Sequence, residues 1–272
     1  MSQLTVTLDD GLRLAGALLA AGAWPDLEQA SRPYKPHRAA EAARRELARL
    51  RAHPAVLAAE ALAGKPGEGG VDELFGAAFA GAWPDDVAAH LDNFAAQAQM
   101  DHLRAAALGD WEAAQADLGA VLGRAELGGF LARMLGPELP PITVFPNLLY
   151  PGRESVSVLT AKGWLLCLPP PLAWGTSPPW RYGDRPDEVL ARAAEHLAGS
   201  MMRQSLPEVQ AGMFGLAAAV LFLRDAEGAE AADQFMLMER RTRKQPGLAG
   251  VVATLAGKRG LAACAAALAG MG

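Results

Sequence analysis

The sequence predicts a predominantly helical α+β protein, and three observations carry that reading. Of the 272 residues, 58 are alanine, the residue with the best intrinsic helix propensity. Apolar residues recur at helical spacing both before Gly136 and after Pro186. Between those points the pattern changes to three short β-branched or apolar runs, separated by proline, glycine and polar turns. The expected architecture is a small central three-stranded sheet packed on helices, with a helical N-terminal half. The composition change divides the chain into residues 1–138, helical with a short first strand, and 139–272, α+β, forming one compact unit.

Each element has a local reason. Leu4, Val6 and Leu8 alternate with polar residues and predict a short strand. Asp9 and Asp10 then offer an N-cap to a leucine-rich helix that Gly22 and Pro25 stop. A polar loop with Pro33, Tyr34 and Pro36 follows. Residues 37–52 read as an amphipathic helix rich in Ala, Arg and Glu, and Pro54 begins another that ends at Gly64. KPGEGG is a loop by composition. Val71 to Ala80 is a short apolar helix. Pro84, followed by Asp85 and Asp86 at the positive end of the dipole, starts a long helix. Its expected break is Gly109, with Asp110 capping the next helix towards Gly136.

The three strands are expected in ITVFPNLL, SVSVLTA and GWLLCLP. A proline- and tryptophan-rich stretch, 169–186, follows without helical period. A loop of that length is either a functional rim or lid, or a rigid strap whose Trp174 and Trp180 plug core gaps. Pro186, Asp187 and Glu188 open a helix with an apolar stripe through Val189, Leu190, Ala193, Leu197 and Met201. Pro207 opens a second whose middle, Gly212 to Leu223, is apolar all round, as in a buried central helix. Glu227 to Lys244 is a third, and the tail from Pro246 is small and apolar with GKRG as its break.

Composition also excludes. Net charge is −5, which argues against a general nucleic-acid binder, since that needs a basic face. Two cysteines, Cys167 and Cys264, rule out a disulfide scaffold and a thiolate-rich zinc site. The wholly apolar stretch Gly212 to Leu223 is shorter than the ~20 residues a membrane span needs. The N-terminal residues carry no signal pattern. The chain therefore reads as cytoplasmic, with no membrane and no nucleic-acid partner.

Chemistry is sparse. There are five histidines, and none forms an i, i+4 pair. His37, His53, His90 and His102 read as surface or capping residues. His196 differs because it follows Glu195 on a helix, in the run Arg192-Ala193-Ala194-Glu195-His196-Leu197-Ala198. Zinc hydrolase helices of the HExxH type place two His one turn apart, with the Glu after the first acting on metal-bound water. Aligned on Glu195, those two positions are Ala194 and Ala198. The inverted HxxEH register puts Arg192 at a ligand position. Neither holds catalytic zinc, which needs three protein ligands. Arg192 with Glu195 offers an ordinary helical ion pair instead. The basic run Arg240 to Lys244 suits a helix C-terminus. No P-loop, GxGxxG or GxSxG is present.

The order of strands, proline-rich loop, Glu195 helix and buried helix resembles the gluzincin peptidases. LTVTLDDGLRLAGALLA, HPAV at His53 to Val56, FPNLL at Phe145 to Leu149 and the strand Gly163 to Leu168 resemble an uncharacterised bacterial group, the DUF4932 family. That resemblance implies a zincin-like packing of sheet and helices. It implies Glu195 at the general-base position, the two zinc-ligand positions at Ala194 and Ala198, and Glu208 as the candidate downstream ligand. The chain then reads as a degenerate, metallopeptidase-like pseudoenzyme without a cofactor. Its groove, formed by Arg192, Glu195, His196, Trp174 and Trp180, would bind a peptide or protein partner. Two other readings stand beside it: a metal-dependent hydrolase with an atypical site around Glu195 and His196, and a helical interaction scaffold.

Overall fold

A computed structural model describes residues 4–31, 33–173, 175–243, 245 and 247–270. Helix predominates, with one small sheet, as an alanine-rich chain of this pattern requires. The element order is β1 (Leu4–Val6), α1 (Asp10–Ala21), α2 (Trp24–Ser31), α3 (Arg38–Leu47), α4 (Pro54–Ala63), α5 (Gly70–Ala80), α6 (Asp85–Ala98), α7 (Met100–Arg124) and α8 (Leu127–Leu135). Three strands follow, β2 (Ile142–Pro146), β3 (Val156–Thr160) and β4 (Gly163–Leu168). The chain then continues as α9 (Pro186–Met202), α10 (Glu208–Ala226), α11 (Ala229–Thr242), α12 (Leu248–Leu255) and α13 (Leu261–Ala269).

The sheet has four strands in the order β1-β2-β4-β3, one more than the central sheet expected. The short first strand joins it at the edge beside β2, where the Thr7 N–H donates to the Val144 carbonyl at 3.0 Å. β3 and β4 form an antiparallel hairpin with Thr160 opposite Gly163. β4 is buried throughout, consistent with its unbroken apolar run GWLLCL.

Two compact units share the chain, and they interleave. An N-terminal unit comprises Thr5–Gly119 and Thr143–Asp184; a C-terminal unit is built mainly from Ala120–Ile142 and the residues from Arg185 on. The division read from composition, 1–138 and 139–272, differs because it assigns the hairpin to the C-terminal helices. The hairpin instead packs on α5, where Gly76 leaves room for Val158.

Helix ends follow their side chains. Asp9 caps α1, its carboxylate accepting from the Leu12 N–H at 2.9 Å. His37 and His53 repeat the device: each ring Nδ1 accepts from the N–H two residues on, at 3.2 Å, and starts α3 and α4. Three boundaries differ from expectation. The stretch after Pro25 is helical as α2, with proline in its first turn, where no N–H is needed. The long helix breaks at Gln99, which adopts a left-handed conformation (φ 51°) and ends α6. Gly109 lies inside α7, and Asp110 consequently caps nothing.

In the C-terminal unit α9 and α10 form an antiparallel pair joined by residues 203–207. α10 also meets α11 and α12, and residues 214–220 are buried without exception. It is the one described helix long and apolar enough to cross a membrane by length and composition; here its centre is core. The two helices touch backbone to backbone: a Cβ on Gly215 would lie 2.4 Å from the Glu195 carbonyl oxygen and 3.2 Å from the Gly199 Cα.

That contact predicts opposite effects from one substitution at two sites on α10. Gly215→Ala forces the helices apart and should cost about 1–3 kcal/mol. Gly212→Ala has open space around it and should gain about 0.5–1 kcal/mol by restricting the unfolded chain. Urea unfolding of both variants checks the pair; equal effects would refute the close approach.

Candidate functional site

The Glu195 helix takes part in a charge cluster of two buried carboxylates and an exposed arginine. Glu195 is buried on α9, and its Oε1 accepts from Nη1 of Arg243, at the end of α11. Arg243 Nε lies 3.0 Å from Oε2 of Glu239, one turn back on α11 and also buried. Burial acts to lower the Arg243 pKa, but the two carboxylates outweigh it and raise it. Burial pushes the Glu239 carboxyl up against the pull of Arg243. Arg243 lies in the basic run, whose charge was expected to serve the helix end; it has two carboxylate partners instead. Glu195 pairs with Arg243 from another helix, and Arg192 is half-buried on α9.

Ala194 and Ala198, at the zinc-ligand positions, are both 0% exposed. Glu208 is an exposed first-turn residue of α10 (side chain 78% exposed) facing Arg203 at 3.6 Å. Among the described residues no group of three His, Cys, Asp or Glu side chains is arranged to hold a metal ion. His196 is half-buried, and burial pushes its pKa down to about 4, with Glu195 opposing and Arg192, Arg243 and Arg203 adding to the fall. At neutral pH it is an uncharged imidazole.

The tryptophan-rich strap belongs to the N-terminal unit. Trp174 lies outside the described residues. Trp180 is exposed and lines a cleft of about 450 Å³ with His37, Arg38, Asp110 and Asp117. The strap's buried anchor is Tyr182, whose hydroxyl donates to the Leu168 carbonyl at 2.6 Å. Asp117 accepts from the Gly183 N–H at 3.0 Å.

A larger cavity of about 600 Å³ opens between α1, α3 and α7 of the same unit. Its walls are helix stripes. α3 contributes Ala39, Ala42, Ala43 and Glu46, and α7 contributes Met100, Leu103, Arg104, Ala107 and Trp111. Those spacings put each set on one helix face. α1 adds Arg13 and Ala17, and Leu149 closes the wall. Alanines on three facing helices leave a volume that larger side chains would fill.

Arg13 is only 7% exposed. Its guanidinium carbon lies 5.0 Å from the centroid of the Trp111 ring, and its Nε and Nη2 have no hydrogen-bond acceptor. Burial lowers its pKa, and neighbouring Arg104 adds to that. Arg104 Nε likewise has no hydrogen-bond acceptor. Arg13 Nη1 and Arg104 Nε approach the same oxygen, Oδ1 of Asp10, at 3.4 and 3.5 Å. At the cavity wall Arg38 grips Asp110 through two bonds, one of them Nε to Oδ2 at 2.7 Å. The Arg38 hydrogen bond holds the Asp110 carboxyl below its usual range.

No family model matches this chain, no curated protein is significantly similar in sequence, and no solved structure is significantly similar in fold.

The α9 cluster has an acid already paired with a cation, a neutral imidazole and no ligand set. It suits holding α9 to α11. The α1–α3–α7 cavity has an apolar body and two cations with some N–H groups lacking acceptors, which suits binding. Sequence reasoning missed Arg13. Its signal was an arginine at i−4 to Ala17, inside the otherwise apolar run GLRLAGALL, on a face that alanine marks as packed.

A pH prediction follows from His196. Its folded pKa of about 4 lies below the ordinary value of 6.5, so the unfolded chain takes up the proton first. The stability involved is complete above about pH 6.5 and is lost as pH falls towards 4. Between pH 7 and pH 5 the loss from this group should be about 1–2 kcal/mol. Urea unfolding of the wild type and of His196→Gln at both pH values measures it. An equal acid loss in the two proteins would show that His196 is protonated in the fold.

Proposed function

We propose that this chain is a non-catalytic binding protein whose ligand site is the cavity between α1, α3 and α7. The observation that carries this is the cavity itself: about 600 Å³, walled largely by alanine, leucine and methionine, with Arg13 and Arg104 on its wall. Its size falls within the range of small-molecule sites, and so does its mix of an apolar lining with few polar groups. On the same reading α9 is the degenerate counterpart of a gluzincin motif helix. Ala194 and Ala198 stand at its ligand positions, and Glu195 serves structure through Arg243. The reading supposes a cytoplasmic protein acting away from membranes and nucleic acid. Two free, buried cysteines are in keeping with a reducing compartment.

Binding of a neutral apolar dye, Nile red, tests this. The wild type should bind one equivalent with enhanced, blue-shifted emission. Ala42→Phe, which places a ring in the cavity, should weaken that binding at least tenfold while the protein keeps its helical circular dichroism. Unchanged binding in Ala42→Phe would place the dye elsewhere and refute the site. Stoichiometric zinc that supports peptide cleavage and involves His196 would refute the non-catalytic half of the proposal.

A further inference from the structure

Resting on that binding reading, we propose that the cavity takes an amphipathic carboxylate, with its chain against the alanine walls and its head group between Arg13 and Arg104. The argument starts from what the two guanidinium groups already do. Both approach a single carboxylate oxygen, Asp10 Oδ1, at 3.4 and 3.5 Å. These separations are too long for good charge-assisted hydrogen bonds, which run about 2.7–2.9 Å. Asp10 is the first residue of α1 and its side chain is 66% exposed, so it approaches the pair from the solvent side. It marks where a carboxylate oxygen is shared, without meeting the donors that remain.

Those donors are buried. Arg13 Nε and Nη2 and Arg104 Nε have no hydrogen-bond acceptor. A buried donor without an acceptor is costly, and more so when charged. These nitrogens are closed to the cavity as the side chains stand, so a ligand that brings its own anion satisfies them by turning the Arg13 and Arg104 side chains towards it. Arg matches a planar carboxylate through paired N–H bonds. The rest of the wall sets the ligand's other end: Ala17, Ala39, Ala43, Ala107, Leu103 and Leu149 offer no polar side-chain group.

The acidic groups nearby do not fill this role. Asp110 is committed to Arg38. Asp101 meets Arg104 Nη1 at 3.3 Å from a fully solvated position. Glu46 lines the cavity at an exposed position, where water screens its charge.

Decanoate and its neutral analogue 1-decanol are the probes, titrated into the full chain below the decanoate micelle concentration and followed by calorimetry and Trp fluorescence. Decanoate should bind one per chain, at least tenfold more tightly than decanol, and more weakly as salt is raised. Arg104→Gln should remove that preference while leaving decanol binding in place. Asp10→Asn removes the competing carboxylate and should tighten decanoate binding severalfold; this gain keeps the test sound if Arg13 variants fail to fold. Equal binding of the two probes, unchanged by Arg104→Gln, overturns the carboxylate assignment and leaves the cavity as an apolar site. Binding of neither probe, with Nile red also unbound, overturns the cavity reading as well. Tighter binding of decyl phosphate than of decanoate by tenfold or more overturns the choice of carboxylate.

Discussion

Where α9 and α10 meet, their separation is set by glycine and alanine. A helix whose contact face carries a methyl group or a hydrogen atom can approach a neighbour until backbones touch, provided nothing larger intervenes. Between α9 and α10 nothing does. Gly215 faces the Glu195 carbonyl and Gly199, and α9 and α10 close completely. Ala194 and Ala198 are consumed in the same core. In the N-terminal unit the same small residues line α1, α3 and α7, but Arg13 on α1 reaches over Trp111 on α7. That pair lies beside alanines that border the cavity. One composition thus gives a sealed helix pair in one unit and a cavity in the other.

The two charge clusters follow the same logic. A buried ion survives when it is paired and hydrogen-bonded. Glu195 is paired with Arg243, with Glu239 beside it, and the cluster ties α9 to α11. Arg13 and Arg104 are incompletely satisfied by Asp10. The first arrangement sets two carboxylates on one cation, with Oε2 of each still lacking a hydrogen-bond donor. The second becomes complete when an anion enters, which is why the binding reading centres on the N-terminal unit.

Much of the fold was legible in the residues. The strands ITVFPNLL, SVSVLTA and GWLLCLP, the Asp9 cap and the buried α10 each carry a local signal strong enough to act alone. The misreadings have local causes too. Gly109 was expected to break a helix, yet a solvent-facing glycine costs only about 1 kcal/mol there, and the break fell at Gln99 instead. Pro25 looked like a terminator because a proline at the start of α2 and one after the end of α1 look alike in sequence. The candidate site was less legible. Glu195 drew attention through an adjacent histidine, whereas its decisive partner, Arg243, is 48 residues away. Arg13 and Arg104 belong to separate helices, and no spacing within one chain segment reveals that they meet at Asp10.

The central claim is that Arg13 and Arg104 jointly receive a ligand carboxylate inside the cavity. Arginine Nε–H resonances report this most directly, in ¹⁵N-labelled protein titrated with decanoate. The account predicts that the Arg13 and Arg104 signals shift together, saturate at one equivalent and move downfield as acceptors reach them, while the Arg243 signal stays fixed. Shifts at Arg243 with none at Arg13 and Arg104, or no saturable shift at either, would contradict it.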